Sequence, residues 1–349
     1  MVIYCKNDGA HFAAIGRIDT PIKMIIERES NILDQKGGIC DWLFNVEKSN
    51  RFAETIVSQG DFGIFMSTSE GEDANQDSFI ENAGKYIEHI QFTKEFVITA
   101  EMMEDAVNGI ATDAKRRAES FTRAYYRTRN KICETALAKG NEYSANFGGT
   151  TLNLTTWDDL PLFHNSHSCG SMPQSNYFWG NFTTSASDST KLDAPRFAEV
   201  LYMLSHELRS MKSDNGEILG YTADTIILPG NRPKLEAMVK AVCGSETSPF
   251  TTDNNINLHY GNWNIIVLPS WTTTRDEFML MSSEANKNIC GNMFFNRIPL
   301  SIDNWIDHRS GNYIWTGRCR FGVGFGNYKH ILRAINSTDE IEDATELIV

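Results

Sequence analysis

An alternation of apolar and polar residues over 88–98 predicts a half-buried β-strand. Its apolar face consists of Ile90, Phe92, Phe96 and Ile98. The segment 62–66 alternates in the same way, and a polar, acidic run with several turn-forming residues separates the two segments. We therefore predict a long β-hairpin with a solvated tip. Because a lone two-stranded ribbon is marginally stable in water, another surface must cover its apolar face.

The apolar period then lengthens from two residues to three or four, which predicts one long α-helix. Thr99 is suited to the N-cap, Gly140 is suited to the stop, and no proline lies between them. A helix of about 40 residues would extend about 60 Å, which is longer than an ordinary domain is wide. Its predicted core stripe is Met103, Val107, Ile110, Ala114, Ala118, Phe121, Tyr125, Thr128, Ile132 and Ala136.

A second helical stripe follows a loop-rich segment over 141–191. Asp193 is suited to its N-cap and Pro195 to its first turn. The strand DTIILPG, the short helix RPKLEAMVKAV and the strands NWNIIVLPS and EFMLMSS follow in that order. This alternation predicts a compact α/β module over 192–285. Residues 1–60 show no sustained period, and we interpret them as an arm with at most short elements.

The strongest strand pattern in the chain is YIWTGRCRFGVGF at 313–325, which predicts a long central strand. Gly322, Gly324 and Gly326 resemble a phosphate-binding run. They lie inside the strand, however, and not between a strand and a helix, so they favour close backbone packing. The segment from Ser337 onwards has five acidic residues and no basic ones, and we interpret it as a solvated end.

The composition is that of a globular protein, with 349 residues, 41% hydrophobic and 22% charged. No run approaches the roughly 20 apolar residues of a membrane-spanning helix, and the amino end has no signal-peptide pattern, so we expect a soluble protein that is not exported. Seven widely spaced cysteines without a CxxC pair are typical of reduced thiols in a cytosolic protein. A net charge of −13 argues against broad, sequence-independent binding of nucleic acid.

The loop PLFHNSHSCG contains a candidate metal site. His164, His167 and Cys169 follow one another at H-x2-H-x-C spacing, and imidazole and thiolate groups are zinc ligands. No second His/Cys pair completes a structural zinc site, so hydrogen bonding within a polar loop is the favoured interpretation. A metal-dependent hydrolase that uses these three residues is the alternative. The chain lacks the G-x-S-x-G, H-E-x-x-H and Walker motifs, and no cofactor is predicted.

The long helix and the hairpin tip carry opposite charges. Both could be ordinary solvated surfaces, or the ribbon of one chain could lie on the helix of another, with charge setting the register. Phe92 and Phe96, as apolar hairpin residues, belong to the same inter-subunit hypothesis. The charged residues concerned are Lys115, Arg116, Arg117, Arg123 and Arg127 on the helix, and Glu70, Glu72, Asp73 and Asp77 at the tip.

Two stretches, LPLFHNSHS at 160–168 and YIWTGRCRFGVGFGNYKH at 313–330, carry a family resemblance. Together with the order of arm, hairpin, overlong helix, α/β module and late strand, they resemble the tailed-bacteriophage major capsid proteins of the Hong Kong 97 fold. The Mu-like major head subunit family is the nearer resemblance. The order ADTIILPG, helix, GNWNIIVLPS, EFMLMSS is similar to the axial domain of that family.

The resemblance implies an α+β, Hong Kong 97-like capsid fold with an N-terminal arm, an extended β-hairpin loop, a long spine helix, a peripheral domain and an axial domain. The implied divisions are the arm at 1–60, the hairpin loop at 61–98, the peripheral domain with the spine helix at 99–191, the axial domain at 192–285, the return strands of the peripheral domain at 286–336 and the acidic tail at 337–349.

The function implied is that of a non-enzymatic major capsid protein. Its pentamers and hexamers would form an icosahedral bacteriophage shell that encloses double-stranded DNA without binding it specifically. The implied partners are other copies of the chain, scaffold, portal and further head proteins, with no membrane. The implied location is the virion capsid, assembled in the bacterial host cytoplasm. An encapsulin, a compartment shell of the same fold, is an alternative that would differ by a neighbouring cargo enzyme.

Overall fold

The described part of the chain forms two β-sheets, two β-ribbons and several helices, of which two have 28 and 29 residues. The structure is a computed structural model that describes residues 9–59, 65, 67–68, 71, 73, 81–99, 101, 110–170, 172–181, 194–246, 256–337 and 340–347. The helices with complete bounds are α1 (Gly9–Lys36), α2 (Ile39–Leu43), α3 (Ile110–Ala138), α4 (Ala194–Ser210), α5 (Pro233–Cys243) and α6 (Ser283–Asn288). Within the described part of the chain, no helix has both the length and the apolar character needed to cross a bilayer.

The strands are β1 (Asn45–Lys48), β2 (Ala53–Gln59), β3 (Glu81–Glu88), β4 (Ile90–Ile98), β5 (Ser144–Phe147), β6 (Thr150–Asn153), β7 (Tyr177–Gly180), β8 (Thr225–Pro229), β9 (Asn264–Leu268), β10 (Glu277–Met281), β11 (Asn292–Ile306), β12 (Tyr313–Phe325), β13 (Ile331–Asn336) and β14 (Thr345–Glu346). One sheet has four strands in the order β1-β11-β12-β4, and the other has six in the order β14-β7-β13-β10-β8-β9. The ribbons are β2-β3 and β5-β6.

The predicted long helix is confirmed over α3, which has 29 residues. Residues 102–109 lie outside the described residues, so the predicted start at Thr99 stays a prediction. Gly140 follows the end of the helix, and its N–H donates to the Leu137 carbonyl across 3.1 Å, as expected near a helix stop. Thr128 of the predicted stripe is half-buried, and the buried members are Ala114, Ala118, Phe121, Tyr125, Ile132 and Ala136.

The arm contains a 28-residue helix, α1, so the prediction of at most short elements in residues 1–60 is wrong. Gly16 and Pro21 lie inside this helix, and both residue types disfavour helix interiors. The apolar positions also share the segment with many charged residues, which hides the helical period from a reading of the sequence.

Packing against α3 is what stabilises α1. Ile22 and Ile26 are buried in a cluster with Ala118 of α3. The Tyr126 hydroxyl on α3 donates to the Asp34 carboxylate of α1 across 2.5 Å. Most helical stability in proteins comes from such tertiary packing and not from local propensity, so this helix could not be read from its own segment.

The predicted central strand is confirmed as β12, which pairs antiparallel with β11 on one side and with β4 on the other. Its apolar side chains point alternately into the core, where they pack under α3 and against β4. The segment over 313–325 therefore lies at the centre of the four-stranded sheet, as its pattern indicates.

The predicted hairpin pairs different strands from those that the sequence pattern indicated. The segment 88–98 does form a strand, β4, but β4 belongs to the four-stranded sheet, where Phe96 lies opposite Trp315. The ribbon consists of β2 and β3 instead, with Thr55 opposite Tyr86. Most of the segment 62–66 lies outside the described residues. Alternation identifies a strand and its buried face, but it does not identify the strand with which it pairs.

The α/β order predicted over 192–285 is confirmed in α4, β8, α5, β9 and β10, but the sheet extends beyond that range. β13 pairs antiparallel with β10, and β7 pairs parallel with β13. Strands from before and after the module thus complete its sheet, so 286–336 does not return wholly to the other sheet. The division into peripheral and axial domains stays a prediction.

The carboxyl-terminal segment is anchored, so its interpretation as a solvated end is wrong for residues 340–347. β14 pairs parallel with β7 and forms the edge of the six-stranded sheet, and the Leu347 N–H donates to the Trp179 carbonyl across 2.6 Å. Ala344 and Leu347 are buried. The acidic side chains of this segment, Glu340, Glu342, Asp343 and Glu346, are exposed, which is why the composition alone suggested a free end.

Candidate functional site

The loop between β6 and β7 contains the three candidate metal ligands, and His167 is fully buried there. Its Nδ1 atom lies 2.8 Å from Asp158 Oδ2, and its Nε2 atom lies 3.2 Å from the Leu162 carbonyl oxygen. The imidazole also stacks on the Tyr328 ring, with centroids 3.9 Å apart. Both ring nitrogens therefore have partners inside the protein.

Cys169 and His164 also have hydrogen-bond partners inside the protein. The Cys169 thiol donates to the carbonyl oxygens of Lys212 and Ser213, each at 3.3 Å. His164 Nδ1 accepts a hydrogen bond from the Ser166 N–H at 3.1 Å. Among the residues that the structure describes, no group of three or more His, Cys, Asp or Glu side chains is arranged to hold a metal ion. The three candidate ligands organise the loop.

The charges of this loop support a structural role. Burial acts to raise the pKa of Asp158, but hydrogen bonds from His167, Thr156 and the Ser168 N–H, with the His167 charge, hold it below its ordinary value. Burial raises the pKa of the Cys169 thiol and lowers that of His164. Hydrogen-bond donors thus favour the carboxylate form of Asp158, whereas burial favours the neutral forms of Cys169 and His164.

Two of the basic residues on α3 have partners within the same chain. Arg123 Nε lies 2.7 Å from Glu29 Oε1 of α1. The Arg117 guanidinium donates to the Val97 carbonyl of β4. Lys115, Arg116 and Arg127, the other basic residues of the hypothesis, are exposed.

The acidic hairpin tip is mostly outside the described residues. Asp73 is described and is exposed, whereas Glu70, Glu72 and Asp77 lie outside. The contact between this tip and the helix of another chain therefore stays a prediction, and Arg123 already has a partner within its own subunit.

Phe92 and Phe96 are half-buried against other elements of the same subunit, and their role as inter-subunit contacts stays a prediction. Phe92 stacks on Phe321 of β12 with ring centroids 4.9 Å apart. Phe96 stacks on Trp315 of β12 at 5.3 Å and contacts the Phe121 ring of α3 at 5.2 Å. These residues join β4 to α3 because β4 is part of the main sheet and not of the ribbon.

The β2-β3 ribbon has two unlike faces, which the sequence analysis did not identify. Its inner face places Ile56 and Ile87 in a buried cluster on β11. Its outer face exposes 44% of Val57 and 49% of Tyr86. Alternation within 53–59 and 81–88 is the signal that could have revealed these faces, once the ribbon was placed in the correct segments.

A buried lysine fastens the inner face of the ribbon to the rest of the chain. Lys85 is buried, and its Nζ donates to the Thr155 hydroxyl. Burial lowers the pKa of Lys85 to about 8, although the nearby carboxylates of Asp159 and Asp158 act to raise it.

The arm also presents an apolar outer side. Met24 and Ile32 of α1 expose 63% and 50% of their surfaces, on a side where Arg28 lies between them. Ile22 and Ile26 face α3 instead. The arm helix and the ribbon therefore each have one side packed on the subunit and another side with large exposed apolar residues.

This combination of an arm helix, a two-stranded ribbon, a long helix against a four-stranded sheet and a second sheet covered by helices is the Hong Kong 97-like fold of phage capsid subunits. The predicted fold class is confirmed. No protein-family model matches the chain, and no curated protein sequence does. The narrower resemblance to the Mu-like head subunits stays a prediction.

Three solved structures illustrate the likeness. The capsid of Myoviridae phage XM1 is 11% identical with a TM-score of 0.51, and the match covers 86% of this chain and 92% of that one. The capsid of a native GTA particle is 11% identical with a TM-score of 0.50, covering 86% and 90%. The capsid of cyanophage P-SCSP1u is 9% identical with a TM-score of 0.50, covering 87% and 89%. At these identities the likeness establishes the fold.

Proposed function

We propose that this chain is the subunit of a closed protein shell, a major capsid protein that acts by self-association. Its fold is that of chains from three capsids, and the matches extend over most of each chain. The role is structural and non-enzymatic. The candidate site for the alternative, a metal-dependent hydrolase, consists of side chains engaged in internal hydrogen bonds.

The two-sided ribbon is the observation that carries this proposal. Its inner face is already packed on the subunit, so the exposed Val57 and Tyr86 are not needed for folding of the ribbon base. Phe65, between β2 and β3, is also fully exposed. Large exposed apolar side chains are candidates for an interaction surface, and burial against another copy would remove them from water.

The proposed assembly consists of pentamers and hexamers in an icosahedral virion shell, formed in the host cytoplasm together with scaffold, portal and other head proteins. The net charge of −13 suits a wall that encloses double-stranded DNA without gripping it, because strong binding to phosphates would hinder the movement of packaged DNA. A gel-shift assay at physiological salt should therefore show no tight duplex binding by the subunit.

Sedimentation analysis and negative-stain electron microscopy of the purified chain test the shell. We expect closed particles that dissociate only under conditions that weaken apolar contacts. The double variant Val57→Ser/Tyr86→Ser should fold with an unchanged unfolding temperature but remain as small oligomers, since it alters only the outer face of the ribbon.

The matched control is Met172→Ser/Ile218→Ser, which removes two exposed apolar side chains from loops away from the ribbon and the arm. This control should assemble like the parent chain. A parent chain that stays monomeric at high concentration would contradict the proposed function. Normal shells from the ribbon variant would contradict the role of the outer face.

A further inference from the structure

The short helix α2 is fixed on one turn of α3 by two polar contacts. The Cys40 N–H donates to Asn130 Oδ1 at 3.4 Å. Asp41 Oδ1 lies 2.5 Å from Arg129 Nη2, and the Arg129 side chain is almost fully buried. These contacts fix the carboxyl-terminal end of the arm against the middle of α3.

The same contact brings two thiols together. Cys40 on α2 and Cys133 on α3 are both fully buried and both free. Both belong to the same buried core cluster, and the Cys133 thiol and the Arg129 guanidinium are near enough to Cys40 to influence each other's ionisation. Arg129 and Cys133 are four residues apart on α3, so they share one face of that helix. Cys40 therefore lies between a cation and a second thiol.

Other cysteines of the chain lie in a different environment. The Cys319 thiol donates to the Phe92 carbonyl at 3.6 Å, and the Cys169 thiol donates to two carbonyl oxygens. Burial alone raises the pKa of Cys243, to about 11. Cys40 and Cys133 differ from these thiols in having a second thiol beside them that can complete a disulfide. Burial raises the pKa of Cys133 well above its ordinary value, so its reactive thiolate forms only when the contact between α2 and α3 opens.

We propose that Cys40 and Cys133 form a reversible disulfide that joins the arm covalently to α3. With oxidised glutathione as the oxidant, the Cys40 thiolate attacks one sulfur, a mixed disulfide forms and one glutathione thiolate leaves. The Cys133 thiolate then attacks Cys40 Sγ and releases the second glutathione. The two cysteines lose two protons and two electrons in total, and one glutathione disulfide becomes two glutathione thiols.

The burial of both thiols determines in which conformation this reaction can occur. Glutathione cannot reach a fully buried thiol, so α2 must first separate from α3, and the disulfide then holds the arm in its docked position. The loop it closes runs from residue 40 to residue 133 and includes the ribbon. Exposure to oxidising surroundings after a shell leaves the reducing cytosol rests on the proposed function, but the pairing of the thiols does not.

Peptide mapping of the full-length chain tests the pairing. The purified protein is equilibrated in a glutathione redox buffer, alkylated and digested with trypsin, and the linked peptides are measured by mass spectrometry. We expect peptide 37–48 joined to peptide 132–139, at a level about tenfold above any other cysteine pair. Oxidation should also raise the unfolding temperature, and dithiothreitol should reverse that rise.

The variants Cys40→Ala and Cys133→Ala should each abolish the linked peptide and the rise in unfolding temperature. Cys243→Ala, which also removes a buried thiol, should change neither. Preferential formation of another pair, or no linked peptide under conditions that oxidise the unfolded chain, would overturn the inference. Electron microscopy of the same samples keeps the two proposals separate: cross-linked chains without particles contradict only the shell, and particles without the cross-link contradict only the disulfide.

Discussion

Gly322 and Glu88 touch through their backbones: a Cβ atom on Gly322 would lie 2.8 Å from the Glu88 carbonyl oxygen. At this point the end of β3 passes directly over the central strand β12. A Cβ on Gly324 would lie 2.5 Å from Ile87 Cδ1, so the close approach continues along the strand. The ribbon can rest on the sheet because β12 has no side chains there.

Replacement of Gly322 by alanine should lower the free energy of unfolding by about 1–3 kcal/mol, because the added methyl group meets a backbone atom that cannot rotate away. Chemical denaturation measures the loss. Thr93→Ala, on the exposed face of β4, is the control and should have little effect. An unchanged stability in Gly322→Ala would mean that the ribbon does not rest on β12.

Phe96→Ala should destabilise the subunit by about 2–4 kcal/mol, since it removes a ring that stacks nearly parallel to Trp315, at an interplanar angle of 8°. Denaturation followed by tryptophan fluorescence measures this change. Glu95→Ala, next to it but exposed, should leave the unfolding midpoint nearly unchanged. Loss of assembly in Phe96→Ala without loss of stability would instead support the predicted inter-subunit role of this residue.

Lys85 should make stability rise with pH between about 8 and 10.5. Its pKa is lowered to about 8 in the folded chain from 10.5, mainly by burial, so the unfolded chain binds more protons in this range. The cost of the buried charge is thus present below pH 8 and is relieved as the pH rises, with an upper bound of about 3 kcal/mol.

The variant Lys85→Met isolates this effect, because the other groups that titrate in the same range are common to both proteins. The difference in unfolding free energy between the variant and the parent should favour the variant below pH 8 and shrink towards pH 10.5. Lys94→Met, at an exposed position, should show no such trend. A pH-independent difference for Lys85→Met would show that Lys85 is not buried as a cation.

Asp158→Asn should cost about 1–3 kcal/mol at neutral pH, because His167 and the Thr156 hydroxyl lose a charged acceptor. The pKa of Asp158 is lowered on folding, so its contribution is present above the ordinary value of 3.8 and is lost as the pH falls through the lower folded value. Thermal unfolding at several pH values measures both effects.

A chelator should leave the unfolding temperature of the parent chain unchanged, since hydrogen bonds and not a metal hold the loop around His167. Elemental analysis of the purified protein provides the independent check. A stoichiometric transition metal, with a fall in unfolding temperature on its removal, would restore the metal site.

The spacing of apolar residues within each segment was enough to predict β12, β4, the main part of α3 and the α/β order from α4 to β10. In each of these elements one face is buried by the core, so the spacing of apolar residues reports the type of element directly. The glycines of β12 were also interpreted correctly as sites of close packing, because a phosphate loop requires a strand-to-helix junction that the sequence does not have. The sequence shows the opposite charges of α3 and the hairpin tip, but it does not show that Arg123 pairs with Glu29 of the same chain.

By itself the sequence determined the elements whose pattern is complete within one segment, and their order, with two motif stretches, carried the resemblance that implied the class of fold. The tertiary structure alone decided that α1 is a helix, that β4 pairs with β12, that β7, β13 and β14 complete the six-stranded sheet, and that Cys40 meets Cys133. The physical reason is the same in every case. The periodicity of apolar residues indicates which side chains are buried. The surface that buries them comes from a distant part of the chain and is selected by packing.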